Sequence, residues 1–289
     1  MRFVKMHGLG NDFIFIEDFG LRLKDFPELA RRLCHRHFGV GADGMVLLQR
    51  GEKTAFKMRI FNADGSEAEM CGNALRCAGK YLYERGLVCD TVMQLEMQQQ
   101  VKTLRLLLED GQVTAVEVNM GPPVLESTAV PVSGASRRVI GEEWTAAGHV
   151  FKITAVSMGN PHGVIFGGDP ALIPLEEWGA AIETHPFFPR KANVEFVEVL
   201  SPVEARLRVF ERGVGETLAC GSGACAVLVA GVLNGLLARK ASLHLPGGTL
   251  LVEWREDNHV YMTGSATEVF RGELVSPSDF ARNYPQKTE

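Results

Sequence analysis

Cys71-Gly72-Asn73-Ala74 recurs as Cys220-Gly221-Ser222-Gly223, 149 residues further along the chain. The same offset matches residues outside these two phrases: Arg59 with Arg208, Phe61 with Phe210, Glu67 with Glu216, and Gly10-Asn11 with Gly159-Asn160. An internal repeat is a stronger fold signal than a single motif. We therefore expect two homologous halves, each of which contributes one cysteine at an equivalent position.

A duplicated pair of thiols suits the inversion of a stereocentre. If a pseudo-twofold axis relates the two halves, their thiols can face each other across a shared cleft. One thiolate can then remove a proton from a carbon atom while the other thiol adds a proton to the opposite face. The alternative is a pair of core cysteines beside helix caps, but a core does not require a Cys-Gly pair to be duplicated in register.

Each of these cysteines stands just before a predicted helix. The N-terminus of a helix presents unsatisfied backbone N–H groups and the positive end of the helix dipole, and both favour a thiolate. We therefore expect a lowered pKa for Cys71 and for Cys220. The same N–H groups can bind a substrate carboxylate, and the glycine that follows each cysteine allows a close approach of the ligand.

Composition limits the other function classes. The formal net charge of −5 argues against nucleic acid as a partner. The longest apolar stretch, residues 224–238, contains Gly231, Asn234 and Gly235 and is too short to span a bilayer. The first residues lack a signal-peptide core, and none of the six cysteines forms a C-x₂-C pair. We expect a cytoplasmic protein with reduced thiols, no membrane association and no zinc site.

The length of 289 residues allows two domains. We place the first domain at residues 1–120, joined by a returning segment at residues 264–289, and the second at residues 121–263. The boundary phrase is Gly121-Pro122-Pro123. Each half has mostly strand character with one principal helix, at about residues 73–85 and 223–237, and shorter helices are expected at residues 27–37 and 175–182. The second principal helix is apolar nearly all round, which predicts an α+β fold with antiparallel sheet wrapped around a central helix.

No cofactor is expected. The chain contains no G-x-x-x-x-G-K-[ST] phosphate loop, and no G-x-G-x-x-G opens a helix after a strand. His35 and His37 are interpreted as part of a basic helix end and not as metal ligands. Neither ATP, NAD nor a metal ion is therefore predicted.

Several longer phrases resemble one known family. They are His7-Gly8-Leu9-Gly10-Asn11-Asp12-Phe13, Phe61-Asn62-Ala63-Asp64-Gly65-Ser66, Met158-Gly159-Asn160-Pro161-His162, Glu211-Arg212-Gly213-Val214-Gly215-Glu216-Thr217 and Ala219-Cys220-Gly221-Ser222-Gly223-Ala224-Cys225. They closely resemble diaminopimelate epimerase, and the resemblance runs from residue 1 to about residue 270. It implies a cofactor-independent isomerase that interconverts LL- and meso-diaminopimelate in lysine and peptidoglycan biosynthesis. It also implies a homodimer whose protomers have two pseudo-symmetric domains, each an antiparallel β-barrel-like sheet around a central helix.

The resemblance assigns roles to individual residues. Cys71 and Cys220 would be the base and acid pair, and His162 and Glu211 would help to set their protonation. The substrate α-carboxylate would lie at the helix ends formed by Gly72, Asn73, Gly221 and Ser222. Its other charged groups would be held by Asn11, Asn62, Asn160, Asn193, Glu211 and Arg212. The residue types agree with a substrate that carries two ammonium and two carboxylate groups, because asparagine both donates and accepts and arginine binds a carboxylate with a bidentate fork.

Two departures from the family bear on substrate range. Gly44, the repeat partner of Asn193, stands where some members carry a glutamine, and the run Gln98–Gln100 replaces a small-residue turn that usually contains glycine. Two alternatives therefore stay open. One is a related racemase or epimerase of another amino acid, and the other is a small-molecule binding protein on the same fold.

Overall fold

The computed structural model describes residues 1–98 and 100–274, so Gln99 in the glutamine run and the tail from residue 275 lie outside the described residues. Contacts divide the chain into two units. Unit 1 contains Met1–Val116 and the segment that begins at Ser265, and unit 2 contains Glu117–Gly264. The sequence placed these two boundaries after residue 120 and after residue 263.

The first half of the chain contains eight strands and two helices among its described residues. They are β1 (Arg2–Gly8), β2 (Asn11–Glu17), α1 (Phe26–Cys34), β3 (Gly44–Arg50), β4 (Phe56–Asn62), β5 (Glu67–Ala68), α2 (Gly72–Glu84), β6 (Val92–Glu96), β7 (Val101–Glu109) and β8 (Gln112–Gly121). The last strand continues past the end of unit 1 at Val116.

The second half repeats this plan. Its elements are β9 (Glu142–Ala146), β10 (His149–Ser157), β11 (Pro161–Gly167), a short 3₁₀ turn (Pro170–Leu172), α3 (Leu175–Glu183), β12 (Asn193–Ser201), β13 (Glu204–Glu211), β14 (Gly215–Thr217), α4 (Gly221–Leu233), β15 (Lys240–Leu245), β16 (Gly248–Trp254) and β17 (Val260–Gly264). A final strand, β18 (Thr267–Glu273), belongs to unit 1 and pairs antiparallel with β1.

The repeat extends to whole helices. The helix α3 begins and ends 149 residues after α1, and α4 begins and ends 149 residues after α2. The strands β3 and β12 also begin 149 residues apart. The duplication recognised at the two cysteines therefore governs the secondary structure of both units.

Parallel strand pairs are the feature that the sequence did not predict. The sheets are mainly antiparallel, but β2 pairs parallel with β3, β4 with β6, β11 with β12 and β13 with β15. A helix lies in the chain between the two strands of each parallel pair. Parallel neighbours need a crossover connection, which is usually helical, so α1 to α4 account for these four pairings.

The principal helices are enclosed, as the apolar sequence of the second one predicts. In α4 the residues from Ala224 to Gly231 are all buried, and in α2 even Arg76 is fully buried, with its Nε donating to the backbone oxygen of Ser265. The end of α4 corrects the prediction, because the helix stops at Leu233 and not at residue 237. Gly235 adopts a left-handed conformation (φ 69°), and the N–H of Leu236 bonds back to the carbonyl of Gly231, which is a glycine-dependent helix stop.

The described residues contain no helix that is long and apolar enough to cross a membrane.

Candidate active site

Cys71 lies at the N-cap of α2, in unit 1, with an extended backbone and a half-buried side chain. Its Sγ is 3.7 Å from Oδ1 of Asn11, and Nδ2 of Asn73 donates to the same oxygen at 3.1 Å. The turn between β1 and β2 and the first turn of α2 thus bring together three residues that the sequence selected separately.

A charged cluster orients the Asn11 amide. Its Nδ2 donates to Oδ2 of Asp43 at 2.8 Å, which turns the amide oxygen towards Cys71. Arg36 bonds both Asp43 and Asp12, and Lys5 pairs with Asp12. Burial opposes ionisation of Asp12, but hydrogen bonds from Lys5, the Asp43 backbone and Arg36 hold its pKa below the usual value.

Cys220 occupies the equivalent N-cap of α4, in unit 2. Its side chain is 5% exposed, and its Sγ accepts from the backbone N–H of Gly223 at 3.3 Å. The hydroxyl of Ser222 lies 3.5 Å from the same sulfur. The helix end therefore does contact the thiol through its N–H groups, as the position of Cys220 predicts.

The expected lowering of the Cys220 pKa is nevertheless wrong. Burial raises the pKa of Cys220 well above its ordinary value, and the charges of Glu211 and Glu195 raise it further. The hydrogen bonds from Ser222 and Gly223 act in the opposite direction but are smaller. A buried thiol beside two carboxylates is stabilised in its neutral form, so Cys220 is a thiol at neutral pH in this structure.

His162 lies on β11 and is fully buried. Its Nδ1 is 2.6 Å from Oε1 of Glu195, which is also fully buried, and its Nε2 is 3.0 Å from Oδ1 of Asn160. The parallel pairing of β11 with β12 sets His162 beside Asn193. Glu195 stands two residues further along β12, on the same face of the strand. His162 is thus a buried residue with defined partners, and Glu195 is a polar residue that the sequence did not select.

The remaining candidates in unit 2 gather at the ends of β12 and β13. Asn193 uses both ends of its amide: Nδ2 donates to the Pro161 carbonyl at 3.0 Å, and Oδ1 accepts from the Arg212 N–H at 3.0 Å. The hydroxyl of Thr217 donates to Oε1 of Glu211 at 2.5 Å. Asn193 therefore ties the start of β11 to the turn after β13, next to Glu211.

Two candidates extend away from these groups. The side chain of Arg212 is exposed, and its Nη1 donates to the Arg190 carbonyl at 3.4 Å. In unit 1, Asn62 is also exposed, and its Nδ2 donates to the hydroxyl of Ser66 at 2.9 Å. Neither has a direct bond to a cysteine among the hydrogen bonds described, so their roles rest on what they offer to a bound ligand.

The sequence model of the family described as diaminopimelate epimerase matches residues 3–126 and 154–269. The chain belongs to the diaminopimelate epimerase family. It is 55% identical over 275 residues to the diaminopimelate epimerase of Pelotomaculum thermopropionicum, covering 94% of this chain and 98% of that one. It is 53% identical over 278 residues to the diaminopimelate epimerase of Desulfitobacterium hafniense, covering 95% and 98%. The resemblance found in the sequence is therefore confirmed.

Solved structures show the same fold at low sequence identity. A Bacillus anthracis protein of the PhzF phenazine biosynthesis family superimposes with a TM-score of 0.70 at 14% identity, covering 96% of this chain and 99% of that one. A hydroxyproline epimerase from Agrobacterium vitis gives a TM-score of 0.68 at 14% identity, covering 97% and 94%. These similarities confirm the predicted fold class for this member of the diaminopimelate epimerase family.

Gly44 explains one departure from the diaminopimelate epimerase pattern. It begins β3 and pairs with Asn62 across the sheet. A Cβ atom at this position would lie only 2.9 Å from the carbonyl oxygen of Phe61. The local backbone therefore favours glycine here, whereas the equivalent Asn193 of unit 2 carries a side chain that bonds two backbone groups.

Glu195 is the polar residue beside the candidate site that the family motifs and the sequence pattern both missed. It stands in the run Asn193-Val194-Glu195-Phe196, which has the composition of an ordinary strand. The repeat contained a usable signal, because the 149-residue offset pairs His162 with Phe13 and Glu195 with Val46. Two apolar residues have thus been exchanged together for a histidine and a carboxylate. Elsewhere in residues 1–98 and 100–274, no cluster of three His, Cys, Asp or Glu side chains is arranged to hold a metal ion.

Proposed function

We propose that this protein is a cofactor-independent epimerase that interconverts LL- and meso-diaminopimelate, a step of lysine and peptidoglycan biosynthesis. The observation that carries the proposal is the equivalent placement of Cys71 and Cys220, each at the N-cap of a buried helix and 149 residues apart. Identity of 55% over nearly the whole length to a protein named diaminopimelate epimerase supports the choice of substrate.

In the proposed mechanism the two thiols act on opposite faces of one α-carbon. The thiolate of one cysteine takes the α-proton, and the thiol of the other delivers its proton to the carbanion from the opposite side. The carbon loses one proton and gains one, and the two cysteines exchange protonation states. Because its pKa is raised, Cys220 begins the cycle as the thiol, and Cys71 then serves as the thiolate in that direction. His162 and Glu211 assist these proton transfers.

Substrate binding is assigned to the residues around the two helix ends. Backbone N–H groups at the start of a helix are suited to a carboxylate, and we assign the reacting α-carboxylate to Gly72, Asn73, Gly221 and Ser222. The other ammonium and carboxylate groups are assigned to Asn11, Asn62, Asn160, Asn193, Glu211 and Arg212. The exposed guanidinium of Arg212 supports its assignment to a carboxylate.

We further propose that the protein works as a homodimer in the cytoplasm. The exposed apolar side chains of Val269 and Phe270 on β18 support an interface there. The six cysteines are all free thiols, which agrees with a reducing compartment. Sedimentation equilibrium of the wild type and of a Phe270→Glu variant tests the dimer, because a charged side chain in the interface should shift the mass to that of a monomer.

Proton NMR of the reduced protein with LL-diaminopimelate in D₂O tests the activity directly. The expected result is loss of the α-proton signal together with appearance of the meso isomer. Exchange with a different amino acid from a panel, but not with diaminopimelate, would move the assignment to a related racemase. No exchange with any amino acid, with Cys71 and Cys220 confirmed as reduced, would leave a binding protein on the same fold.

A further inference from the structure

The buried pair formed by His162 and Glu195 is not needed by the fold. At the equivalent positions of unit 1, Phe13 and Val46 lie on β2 and β3, which pair in parallel as β11 and β12 do. Both apolar residues are buried, with 3% and 0% exposure. The same strand pair is therefore built in unit 1 from two hydrocarbon side chains, and in unit 2 from two ionisable ones.

Burial makes this exchange expensive for stability. Both side chains of the pair are 0% exposed, and Oε2 of Glu195 has no hydrogen-bond partner in the described part of the chain. A buried carboxylate with an unsatisfied oxygen is destabilising unless an ionic partner offsets its desolvation. A sequence that retains such a group where an apolar pair also fits points to a functional requirement.

The pair fixes how the imidazole ring is used. Glu195 receives the Nδ1 proton of His162, so the ring cannot rotate without loss of that hydrogen bond. The other nitrogen, Nε2, is thereby directed at Asn160. With the amide oxygen of Asn160 facing Nε2, both ring nitrogens donate, and the ring is an imidazolium ion whose charge Glu195 balances.

Glu195 also reaches the second thiol. A Cβ atom added at Gly223 would lie 2.8 Å from Oε1 of Glu195 and 3.2 Å from Sγ of Cys220. The carboxylate and the sulfur therefore lie on either side of a single glycine, in the first turn of α4. The ionisable groups that act together here are His162 from β11, Glu195 from β12, Glu211 from β13 and Cys220 before α4.

We propose that Glu195 is a positioning residue for epimerisation, which holds His162 with Nε2 directed at Asn160 and balances the charge of its protonated ring. This role rests on the proposed function, because it concerns the proton transfers of that reaction. It makes unit 2 chemically different from unit 1, where Phe13 and Val46 can neither hold nor balance a proton.

The Glu195→Gln variant tests this role, with Glu195→Asp as the conservative variant. The matched control is Glu204→Gln, which neutralises another histidine-bound carboxylate of unit 2, 2.7 Å from Nε2 of His244 but in a partly exposed pair. We expect kcat of Glu195→Gln to fall about 30-fold while KM changes less than about threefold, since general acid–base groups contribute at least about 10²-fold. Glu195→Asp should recover most of the loss, and Glu204→Gln should match the wild type.

The pH dependence separates positioning from a purely structural role. Removing the charge of Glu195 removes one cause of the raised pKa of Cys220, so the kcat profile should shift to lower pH. A fall in kcat with an unshifted profile and a lowered Tm would mean that Glu195 serves only stability, and the proposal would be wrong. An unchanged kcat would overturn it equally.

A measurement without substrate keeps this test distinct from that of the proposed function. In ¹⁵N-histidine-labelled protein, the His162 signal should report a hydrogen-bonded Nδ1–H that is lost or weakened in Glu195→Gln. If the wild type does not epimerise diaminopimelate, the proposed function fails, while this signal still decides whether Glu195 holds the ring. An identical His162 signal in the two proteins would refute the positioning role.

A double variant tests the argument from the repeat. His162→Phe with Glu195→Val reproduces the apolar pair of unit 1, and we expect a Tm at or above that of the wild type, together with lost activity. Glu195→Val alone should lower the Tm, because His162 would then be buried without its carboxylate. If the double variant does not fold, the pair is an architectural requirement of unit 2 and the inference fails.

Discussion

Units 1 and 2 place their charged residues at neighbouring but different positions of the same strands. In unit 1 the carboxylates beside the candidate site are Asp12 and Asp43, and the 149-residue offset replaces them in unit 2 with Pro161 and Ala192. At the next equivalent positions the exchange runs the other way, from Phe13 to His162 and from Val46 to Glu195. Because successive residues of a strand point to opposite faces, the two units carry their charge on opposite faces of one design.

Each unit still orients the equivalent asparagine. Asp43 holds the Asn11 amide in unit 1, whereas His162 contacts the Asn160 amide in unit 2. The thiols then differ in environment, because Cys71 is half-buried beside Asn11, and Cys220 is buried among carboxylates that raise its pKa. The comparison teaches that a symmetric backbone can present two thiols of unequal acidity. A two-base reaction requires this inequality, since one partner must begin as a base and the other as an acid.

The largest expected effect comes from removing either thiol. Cys71→Ser and Cys220→Ser should each reduce epimerisation by at least about 10³-fold, because a serine hydroxyl is a far weaker acid and base than a thiol. The measurement is the rate of α-proton exchange by NMR in D₂O, with the Tm as a check of folding. Cys89→Ser is the control, since Cys89 is exposed and outside the candidate site. Full activity of either site variant would remove the need for a matched pair.

Acidity should distinguish Cys220 in a second experiment. Alkylation of Cys220, followed by peptide mapping across a pH series, should have its midpoint well above the ordinary value of a cysteine, because burial and the charges of Glu211 and Glu195 favour the thiol. In Glu211→Gln one negative charge is lost, so the midpoint should move to lower pH by about one unit, as expected for one nearby like charge. A midpoint that stays in place would show that burial alone sets the acidity of Cys220.

The charged cluster of unit 1 should matter for stability. Asp12→Asn leaves the buried Lys5 without its ion-pair partner, and we expect a loss of about 2 kcal/mol in the free energy of unfolding at pH 7. The pKa of Asp12 is lowered by folding. Its contribution is therefore present above the unfolded value of 3.8 and is lost as pH falls through the folded value.

Urea unfolding of wild type and Asp12→Asn at several pH values checks that window. The difference between the two proteins should be constant near neutral pH and should shrink below about pH 4. A matched control is Glu28→Gln, which removes a more exposed carboxylate paired with Arg31 and Arg32. Its effect should stay below about 1 kcal/mol, as is typical of surface pairs. An equal loss in both variants would contradict a special role for the buried Lys5.

The smallest effect concerns the orientation of Asn11. Asp43→Asn weakens the acceptor that holds the Asn11 amide, and we expect kcat/KM to fall about fivefold, corresponding to loss of about one net hydrogen bond. The Tm should change by only a few degrees, because Asp43 is exposed. Steady-state epimerisation kinetics provide the measurement. No change in kcat/KM would show that unit 1 does not depend on this carboxylate, and the contrast with Glu195 would become sharper.

The sequence predicted those parts of the fold that leave a local pattern. The starts of α2 and α4 were evident from the Cys-Gly phrases, and the apolar run from Ala224 predicted an enclosed helix. The end of α4 was misplaced because Leu236 and Leu237 continue the apolar run, although Gly235 has already ended the helix. The four parallel pairings were missed because strand direction depends on where a helix returns the chain.

The candidate site divides in the same way. Residues within the repeated phrases, such as Asn11 and Cys71, could be selected from the sequence, and the structure places these two in contact. The acidity of Cys220 was mispredicted because the helix end is local, whereas Glu195 and Glu211 approach from other strands. Glu195 itself leaves no local signal, since its partner His162 is 33 residues away in the chain.

The equal bounds of the paired helices have a consequence for how such a protein diverges. Since α1 and α3 have the same length, as do α2 and α4, and each pair is separated by the same interval, a segment copied from one half onto the other adds and removes no residues. The two halves are thus spare parts for each other, and point substitutions alone can make one half resemble or differ from its twin. Specialisation of the two half-sites has required no change in the length of the chain that connects these helices.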